Sequence, residues 1–93
     1  MIADDPADGM ALDGNAAAGD LQDVFGMDVT TARGRCAHCG RVAVLAQARL
    51  FARAPGLVLR CDTCTRVLLT LVRAPGRTWL GCRGLSVLEL PGP

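Results

Sequence analysis

The sequence predicts a small, mainly β domain preceded by one short helix. Three features lead to this expectation: an amphipathic segment near the N-terminus, two copies of an Arg-Ala-Pro-Gly turn flanked by apolar runs, and two Cys-x-x-Cys pairs. Residues 29–93, a segment of 65 residues, are of a size at which apolar burial only just offsets the entropy of folding. A domain this small therefore needs a cross-link in addition to its core.

Charge divides the chain into an acidic and a basic part. Residues 1–28 contain seven Asp and no basic residue, whereas residues 29–93 contain all ten Arg and only two acidic residues, which gives charges of −7 and +8. Such asymmetry indicates segments of different structure. We predict a disordered acidic leader over residues 1–11, a short amphipathic helix over residues 12–28 and a compact domain over residues 29–93.

The helix is predicted from its two ends and its apolar face. Asp13 suits the N-cap, and Gly26 suits the position just past the C-terminus. Four apolar residues recur at helical spacing on one face: Ala17, Leu21, Val24 and Phe25. Because Gly14 and Gly19 weaken an isolated helix, we expect this segment to dock on the rest of the chain, with Leu21 and Phe25 as anchors.

The repeated Arg-Ala-Pro-Gly tetrapeptide predicts two β-hairpins. Proline presets the first central position of a type II turn and glycine accepts the positive φ of the second. The tetrapeptide occupies residues 53–56 and 73–76. The predicted strands are 48–53 with 57–60 for the first hairpin, 67–73 with 77–82 for the second, and a last strand over Leu85–Leu90.

Two cysteine pairs are the strongest functional signal in the chain. Cys36 and Cys39 form the first pair, Cys61 and Cys64 form the second, and twenty-one residues separate the pairs. Two residues between cysteines allow both sulfurs to reach one metal ion, and four thiolates are a common ligand set for structural Zn²⁺. The sequence therefore predicts one structural zinc ion held by these four residues.

An internal repeat around the cysteines supports joint ligation. At an offset of 25 residues, 35–42 aligns with 60–67, and five of the eight positions are identical. Such a sequence repeat is expected when two similar turns hold one ion. The repeat includes Arg41 and Arg66, and because Zn²⁺ with four thiolates carries a charge of −2, we predict that these arginines support the cluster electrostatically.

Other interpretations of the four cysteines stay open from the sequence. Two disulfides would each close a very small ring, and a redox dithiol uses one pair, not two. An iron site of the rubredoxin kind also has four cysteines. Rubredoxins usually have glycine after both cysteine turns and aromatic residues around the metal, whereas here Gly40 follows the first turn, Thr65 follows the second, and aromatics make up 3% of the chain.

Two further residues are predicted to be structural. Cys82 alternates in phase with Thr78 and Leu80, so we expect its side chain to face a core as a small apolar group. His38 lies inside the first cysteine turn beside Cys39, and adjacent residues do not easily ligate the same ion. We therefore expect an exposed histidine that is not a ligand.

The cysteine turns and intervening strands resemble a zinc ribbon. The fold implied is a small mainly-β zinc ribbon with rubredoxin-like knuckles and two hairpins, preceded by one short N-terminal α-helix. The chain also resembles a family of short actinobacterial proteins known only as a domain of unknown function. That resemblance rests on four segments: 12–17 (LDGNAA), 24–26 (VFG), 35–40 (RCAHCG) and 58–61 (VLRC). The resemblance implies metal ligation by the same four cysteines, and it brings no activity with it.

The composition favours a binding function over catalysis. The chain has one Glu and one His, with no nucleophile motif, phosphate-binding glycine loop or carboxylate pair, so we expect no enzyme. The leading hypothesis is a zinc-stabilised protein-interaction or regulatory module, with the acidic helix as a docking element. The alternatives are a nucleic-acid-binding ribbon, favoured by the basic segment, and a small redox or iron protein. No signal peptide or membrane segment is expected, which favours the cytoplasm.

Overall fold

The computed structural model describes residues 12–53 and 56–90, which form two antiparallel sheets and one short α-helix. This confirms the predicted fold class: a small mainly-β chain in which four cysteines cluster in the manner of a zinc ribbon. The predicted leader over residues 1–11 lies outside the described residues, as do Ala54 and Pro55 of the first turn. In the described part of the chain, no helix has the length and apolar character needed to cross a membrane.

The elements follow one another with short connections. The N-terminal part holds β1 (Leu12–Asp13), a 3-10 helix (Gly14–Ala17) and α1 (Ala18–Phe25). The strands that follow are β2 (Arg33–Cys36), β3 (Val42–Val44), β4 (Arg49–Arg53), β5 (Gly56–Arg60), β6 (Val67–Ala74), β7 (Arg77–Gly81) and β8 (Leu85–Glu89), with a second 3-10 helix (Leu45–Gln47) between β3 and β4.

The larger sheet contains both predicted hairpins. Its strand order is β1-β4-β5-β6-β7, so β4–β5 and β6–β7 pair as the turn tetrapeptides indicated. Gly76 has φ 77°, and since Pro75 fixes a negative φ before it, the second turn is of type II. The predicted strand over Leu85–Leu90 is present as β8, but it joins a different sheet.

The smaller sheet, in the order β3-β2-β8, was not predicted. Strand β2 is central and pairs with β3 through Arg33↔Val44 and with β8 through Arg33↔Glu89. Gly34 lies in the middle of β2, where a Cβ would come within 2.8 Å of the Leu85 side chain. The three strands are short, and β2 and β8 lie about 50 residues apart in sequence, so no local signal announced their pairing.

The N-terminal segment begins as predicted but starts with a tighter turn. Asp13 is the N-cap, and its side chain accepts a hydrogen bond from the backbone N–H of Asn15 at 3.1 Å. The first turn is a 3-10 helix in which Gly14 is packed against the second 3-10 helix, and a Cβ on Gly14 would overlap the Leu45 carbonyl oxygen. Gly26 ends α1 in the left-handed conformation with φ 75°.

The helix α1 shares one core with the strands. Ala17 and Leu21 are fully buried in the same apolar cluster as Leu59, Leu69 and Leu71, whereas Phe25 is only half-buried at its margin. Leu21 is therefore the anchor, and Phe25 is a smaller contributor than expected. The apolar face of α1 is thus occupied within the chain.

An ion pair adds to this contact. The guanidinium of Arg73 on β6 lies 3.3 Å from the Asp20 carboxylate and 3.2 Å from that of Asp23. Both acids belong to α1, and both are exposed. The opposite charges of the two segments therefore meet at this exposed pair, which contributes little energy compared with the buried side chains.

Candidate metal centre

The first cysteine turn follows directly from β2. Cys36 is the last residue of that strand, and its backbone N–H donates to the Arg41 carbonyl at 2.9 Å. The Gly40 N–H donates to the Cys36 carbonyl at 3.0 Å, and Gly40 has φ 80°. The backbone N–H of His38 lies 3.4 Å from the Cys36 sulfur. This tight loop, the first knuckle, holds the Cys36 and Cys39 sulfurs on one side of the chain.

The second knuckle, which follows β5, repeats this geometry at the offset of the sequence repeat. The Cys61 N–H donates to the Arg66 carbonyl at 2.9 Å, and the Thr65 N–H donates to the Cys61 carbonyl at 3.0 Å. The Thr63 N–H lies 3.4 Å from the Cys61 sulfur. Five identical residues in an eight-residue repeat thus correspond to the same backbone hydrogen bonds in both turns.

The two knuckles bring all four sulfurs together. The sulfur atoms of Cys36, Cys39, Cys61 and Cys64 lie within 4.8 Å of one another. Two sulfur pairs between the knuckles are close: Cys36 to Cys64 at 3.6 Å and Cys39 to Cys61 at 3.7 Å. Four sulfurs placed tetrahedrally at about 2.3 Å from one ion lie about 3.8 Å apart. The four cysteines are therefore close enough together to bind one metal ion.

The cluster lies where the two sheets meet. The first knuckle follows β2 of the smaller sheet, and the second follows β5 of the larger sheet. The four sulfurs therefore come from two sheets that do not share a strand. Cys36 and Cys61 are buried, with 3% exposure each, while Cys39 is exposed. The space beside the two buried cysteines is lined by Leu45, Leu68 and Leu85. One side of the site is therefore apolar, and the other faces solvent.

The four thiols influence one another's ionisation. Burial acts to raise the pKa of Cys36, but hydrogen bonds from the backbone N–H groups of Cys39 and His38, and from neighbouring thiols, lower it to about 7. The backbone N–H of Arg41 acts to lower the pKa of Cys39, but burial and the other thiols raise it to about 11. The thiolate of Cys36 is thus favoured over that of Cys39, and a bound cation would favour the ionised form of Cys39.

The structure gives Arg41 a specific contact. Its guanidinium binds the Asp62 carboxylate of the opposite knuckle through two hydrogen bonds, at 2.7 and 3.1 Å. Sequence reasoning missed Asp62 as the partner of Arg41. Asp62 is the only Asp in residues 29–93, and this could have indicated its pairing with an arginine. The backbone N–H groups of Arg41 and Arg66 act on the Cys39 and Cys64 sulfurs respectively, while the Arg66 side chain is exposed.

We expect Arg41→Ala to weaken metal retention more than Arg66→Ala does. Loss of the Arg41–Asp62 pair removes one tie between the knuckles, and both side chains are partly exposed, at 39% and 30%. Pairs of this kind contribute about 0.2–1 kcal/mol, so metal affinity should fall by up to about fivefold. Competition with a chelator of known affinity measures this. An equal effect of both substitutions would instead favour a general electrostatic role for the two arginines.

Thr65 occupies a backbone conformation that suits glycine. It has φ 67° and is the only non-glycine residue with positive φ in the described part of the chain. It matches Gly40 of the first knuckle in both position and φ, and the Arg60 side chain donates to its carbonyl at 3.0 Å. A β-branched residue in this region is strained. The second knuckle therefore has the same positive φ at this position as the first, although threonine takes the place of glycine.

We expect Thr65→Gly to stabilise the metal-loaded protein by about 0.5–1 kcal/mol. The left-handed conformation costs about 1–2 kcal/mol for a residue with a Cβ, and the greater freedom of glycine in the unfolded chain offsets part of this gain. Denaturant unfolding measures the change. Gly40→Ala is the matched opposite and should destabilise by about 1 kcal/mol or more. If Thr65→Gly destabilised the protein, contacts of the threonine side chain would outweigh the strain.

The other two predicted residues lie outside the sulfur cluster. His38 is exposed at the tip of the first knuckle, as expected for a residue that is not a ligand. Cys82 is half-buried against the core, and burial raises the pKa of its thiol. All five cysteines are free thiols, so the structure contains neither of the disulfides that the sequence left open.

Comparison with known proteins places the chain in a family. A family model described as a family of unknown function, DUF6510, matches residues 5–93. The chain belongs to this family. The match spans the helix, both sheets and all four clustered cysteines, in agreement with the expected resemblance, and it assigns no activity. No curated protein and no solved structure matched the chain.

Proposed function

We propose that this chain is a cytoplasmic, non-catalytic protein-interaction or regulatory module whose fold is held by one structural Zn²⁺. The observation that carries the proposal is the meeting of four sulfurs, within 4.8 Å, at the junction of two sheets. An ion there would connect the first knuckle, which follows the smaller sheet, with the second knuckle, which follows the larger sheet. In a chain of 93 residues, such a cross-link supplies stability that the core lacks.

Zinc suits the ligand set and its surroundings. Four thiolates in a tetrahedral arrangement are typical of structural zinc sites, whereas catalytic zinc sites keep one position open for water or substrate. Iron also accepts four thiolates, so the preference for zinc rests on the surroundings. The side chains lining the space beside Cys36 and Cys61 are aliphatic or polar, including Leu45 and Leu68, rather than the aromatic residues usual around rubredoxin iron.

The surface of the β6–β7 hairpin supports an interaction role. Trp79 and Val72 are directly opposite each other across the hairpin and are 52% and 37% exposed. Exposed aromatic residues in the company of other apolar groups are a common feature of protein-binding surfaces. Because the apolar face of α1 is buried in the core, a partner would bind this hairpin more readily than the helix that the sequence suggested.

A nucleic-acid-binding function is less well supported. Three arginines of the basic segment are engaged within the chain: Arg41 by Asp62, Arg73 by Asp20 and Asp23, and Arg60 by the Thr65 carbonyl. Arg60 also lies 5.7 Å from the centre of the Phe51 ring. These contacts reduce the number of cations and stacking surfaces available to phosphates and bases.

Two measurements test the proposal. Elemental analysis of the purified chain should give one zinc and no iron per chain, and iron at that stoichiometry would overturn the assignment of the metal. The zinc-loaded chain, immobilised, should retain a protein from a nuclease-treated extract of its host. Titration with RNA and DNA between about 50 and 200 mM salt is the comparison, because phosphate binding weakens steeply over that range. Strong, salt-dependent binding to either polymer would replace the interaction function.

A further inference from the structure

A cleft of about 400 Å³ opens beside the first knuckle. It is separate from the sulfur cluster and lies between His38, the start of β6 and the connection from β7 to β8. Its volume is within the range of small-ligand sites, which run from about 300 to 1,000 Å³. The lining residues are His38, Val67, Leu68, Thr70, Gly81, Arg83 and Gly84.

Two glycines allow the walls of the cleft to pack closely against each other. A Cβ on Gly84 would overlap the Val67 carbonyl oxygen, and one on Gly81 would come within 2.8 Å of the Thr70 hydroxyl. The Gly84 N–H donates to the Leu68 carbonyl at 3.2 Å, and the Gly84 carbonyl accepts from the Ala37 N–H at 2.8 Å. The walls are thus fixed by backbone contacts in the absence of a ligand, which lowers the entropic cost of binding.

The lining combines an apolar floor with a few polar groups. The lining includes two apolar residues, Val67 and Leu68, and three residues with polar side chains, His38, Thr70 and Arg83. Among the described residues that line the cleft there is no carboxylate. A guanidinium binds a carboxylate through two parallel hydrogen bonds. Arg83 is the one charged residue among the described residues of the lining, so the cleft suits a single negative charge attached to an apolar body better than a multiply charged phosphate.

The face next to the cleft is also apolar. Thr70 lies opposite Gly81 in the β6–β7 hairpin, and Val72 lies opposite Trp79 one step along the same face. A ligand that extended beyond the cleft would therefore contact Val72 and Trp79. Since Trp79 is the only tryptophan in the chain, its fluorescence can report on binding.

We propose that this cleft binds a carboxylate attached to a small apolar group, with Arg83 holding the charge and Val67 and Leu68 the apolar part. The C-terminal residue of a protein partner and a free small acid share this chemistry. If the carboxylate is the C-terminus of a protein partner, the inference rests on the proposed interaction function. Contact of a longer chain with Val72 and Trp79 would strengthen binding by a partner.

The test uses zinc-loaded full-length protein and defined probes. N-acetyl-leucine should shift the amide resonances of Thr70, Gly81 and Gly84, whereas N-acetyl-leucine amide should bind about tenfold or more weakly, because it lacks the charge that Arg83 binds. Inorganic phosphate should compete poorly. Tighter binding of acetyl-Ala-Ala-Leu, with a change in Trp79 fluorescence, would identify a protein C-terminus as the ligand, and equal binding would identify a small acid.

Variants separate this inference from the proposed function. Arg83→Gln should reduce N-acetyl-leucine binding by about tenfold or more, while Arg77→Gln, a matched change of an exposed arginine on β7, should leave it unaltered. Zinc content and unfolding should be unaffected by both changes. Equal binding of the acid and its amide, or full binding by Arg83→Gln, would overturn the inference. Retention of a protein partner by Arg83→Gln would then show that the interaction function stands and uses another surface.

Discussion

Replacement of Cys39 by serine is expected to abolish the cooperative thermal unfolding transition of this protein. The residue is exposed, so the substitution removes a ligand without opening a cavity in the core. Structural zinc contributes about 10–16 kcal/mol in small zinc domains, which exceeds or equals the total stability of a typical domain, about 5–15 kcal/mol. Calorimetry and circular dichroism should show a broad, non-cooperative melt for Cys39→Ser, and the same for wild type with a strong chelator.

Cys82→Ala provides the control for this prediction. It also removes a thiol, but Cys82 lies outside the sulfur cluster. Its zinc stoichiometry should stay at one, and its transition should stay cooperative, with some loss of stability because the side chain packs against the core. A chelated wild-type protein with an unchanged spectrum and melting temperature would show that the metal is not a condition of folding.

Leu21→Ala should destabilise the zinc-loaded protein by about 2–5 kcal/mol, the usual cost of removing a buried leucine side chain from a core. Leu21 is fully buried between α1 and the strands, and the helix has no other fully buried residue within its α-helical turns. Denaturant unfolding with the metal bound measures the loss of free energy. Amide exchange across β6 should increase in parallel, since Leu69 and Leu71 share this core.

Leu12→Ala is the matched control for the second prediction. Leu12 is 53% exposed on β1, so the same chemical change should alter stability by about 0.5 kcal/mol or less. If Leu21→Ala cost no more than Leu12→Ala, the helix would not be docked in solution. The acidic segment would then be available as the docking element that the sequence suggested.

Local signals identified the two hairpins, the helix caps and the ligand set. Pro75 and Gly76 specify the second turn through their own allowed φ values, and Asp13 and Gly26 delimit the helical segment for the same local reason. The cysteine spacing and its repeat indicated a shared site because two residues between thiols are enough to place both on one ion. Each of these features depends on residues close together in sequence.

The smaller sheet, the strained Thr65 and the Arg41–Asp62 pair became visible only in the structure. Strands β2, β3 and β8 have three to five residues each, too few for a reliable alternation pattern. The repeat suggested that Arg41 and Arg66 act alike, but only Arg41 faces a carboxylate on the opposite knuckle. The cleft at Arg83 was likewise not predictable, because it forms between three segments that are distant in sequence: the first knuckle, β6 and the connection from β7 to β8.

The sequence by itself determined that this protein is a small β domain with four cysteines suited to one metal ion. Those properties follow from turn chemistry, capping and ligand spacing, which operate over a few residues. The tertiary structure decided that the two knuckles come from different sheets, that α1 is buried against the strands, and that a cleft opens beside His38. These depend on which distant surfaces pack together, and that choice is made by the burial of the whole apolar core rather than by any local segment.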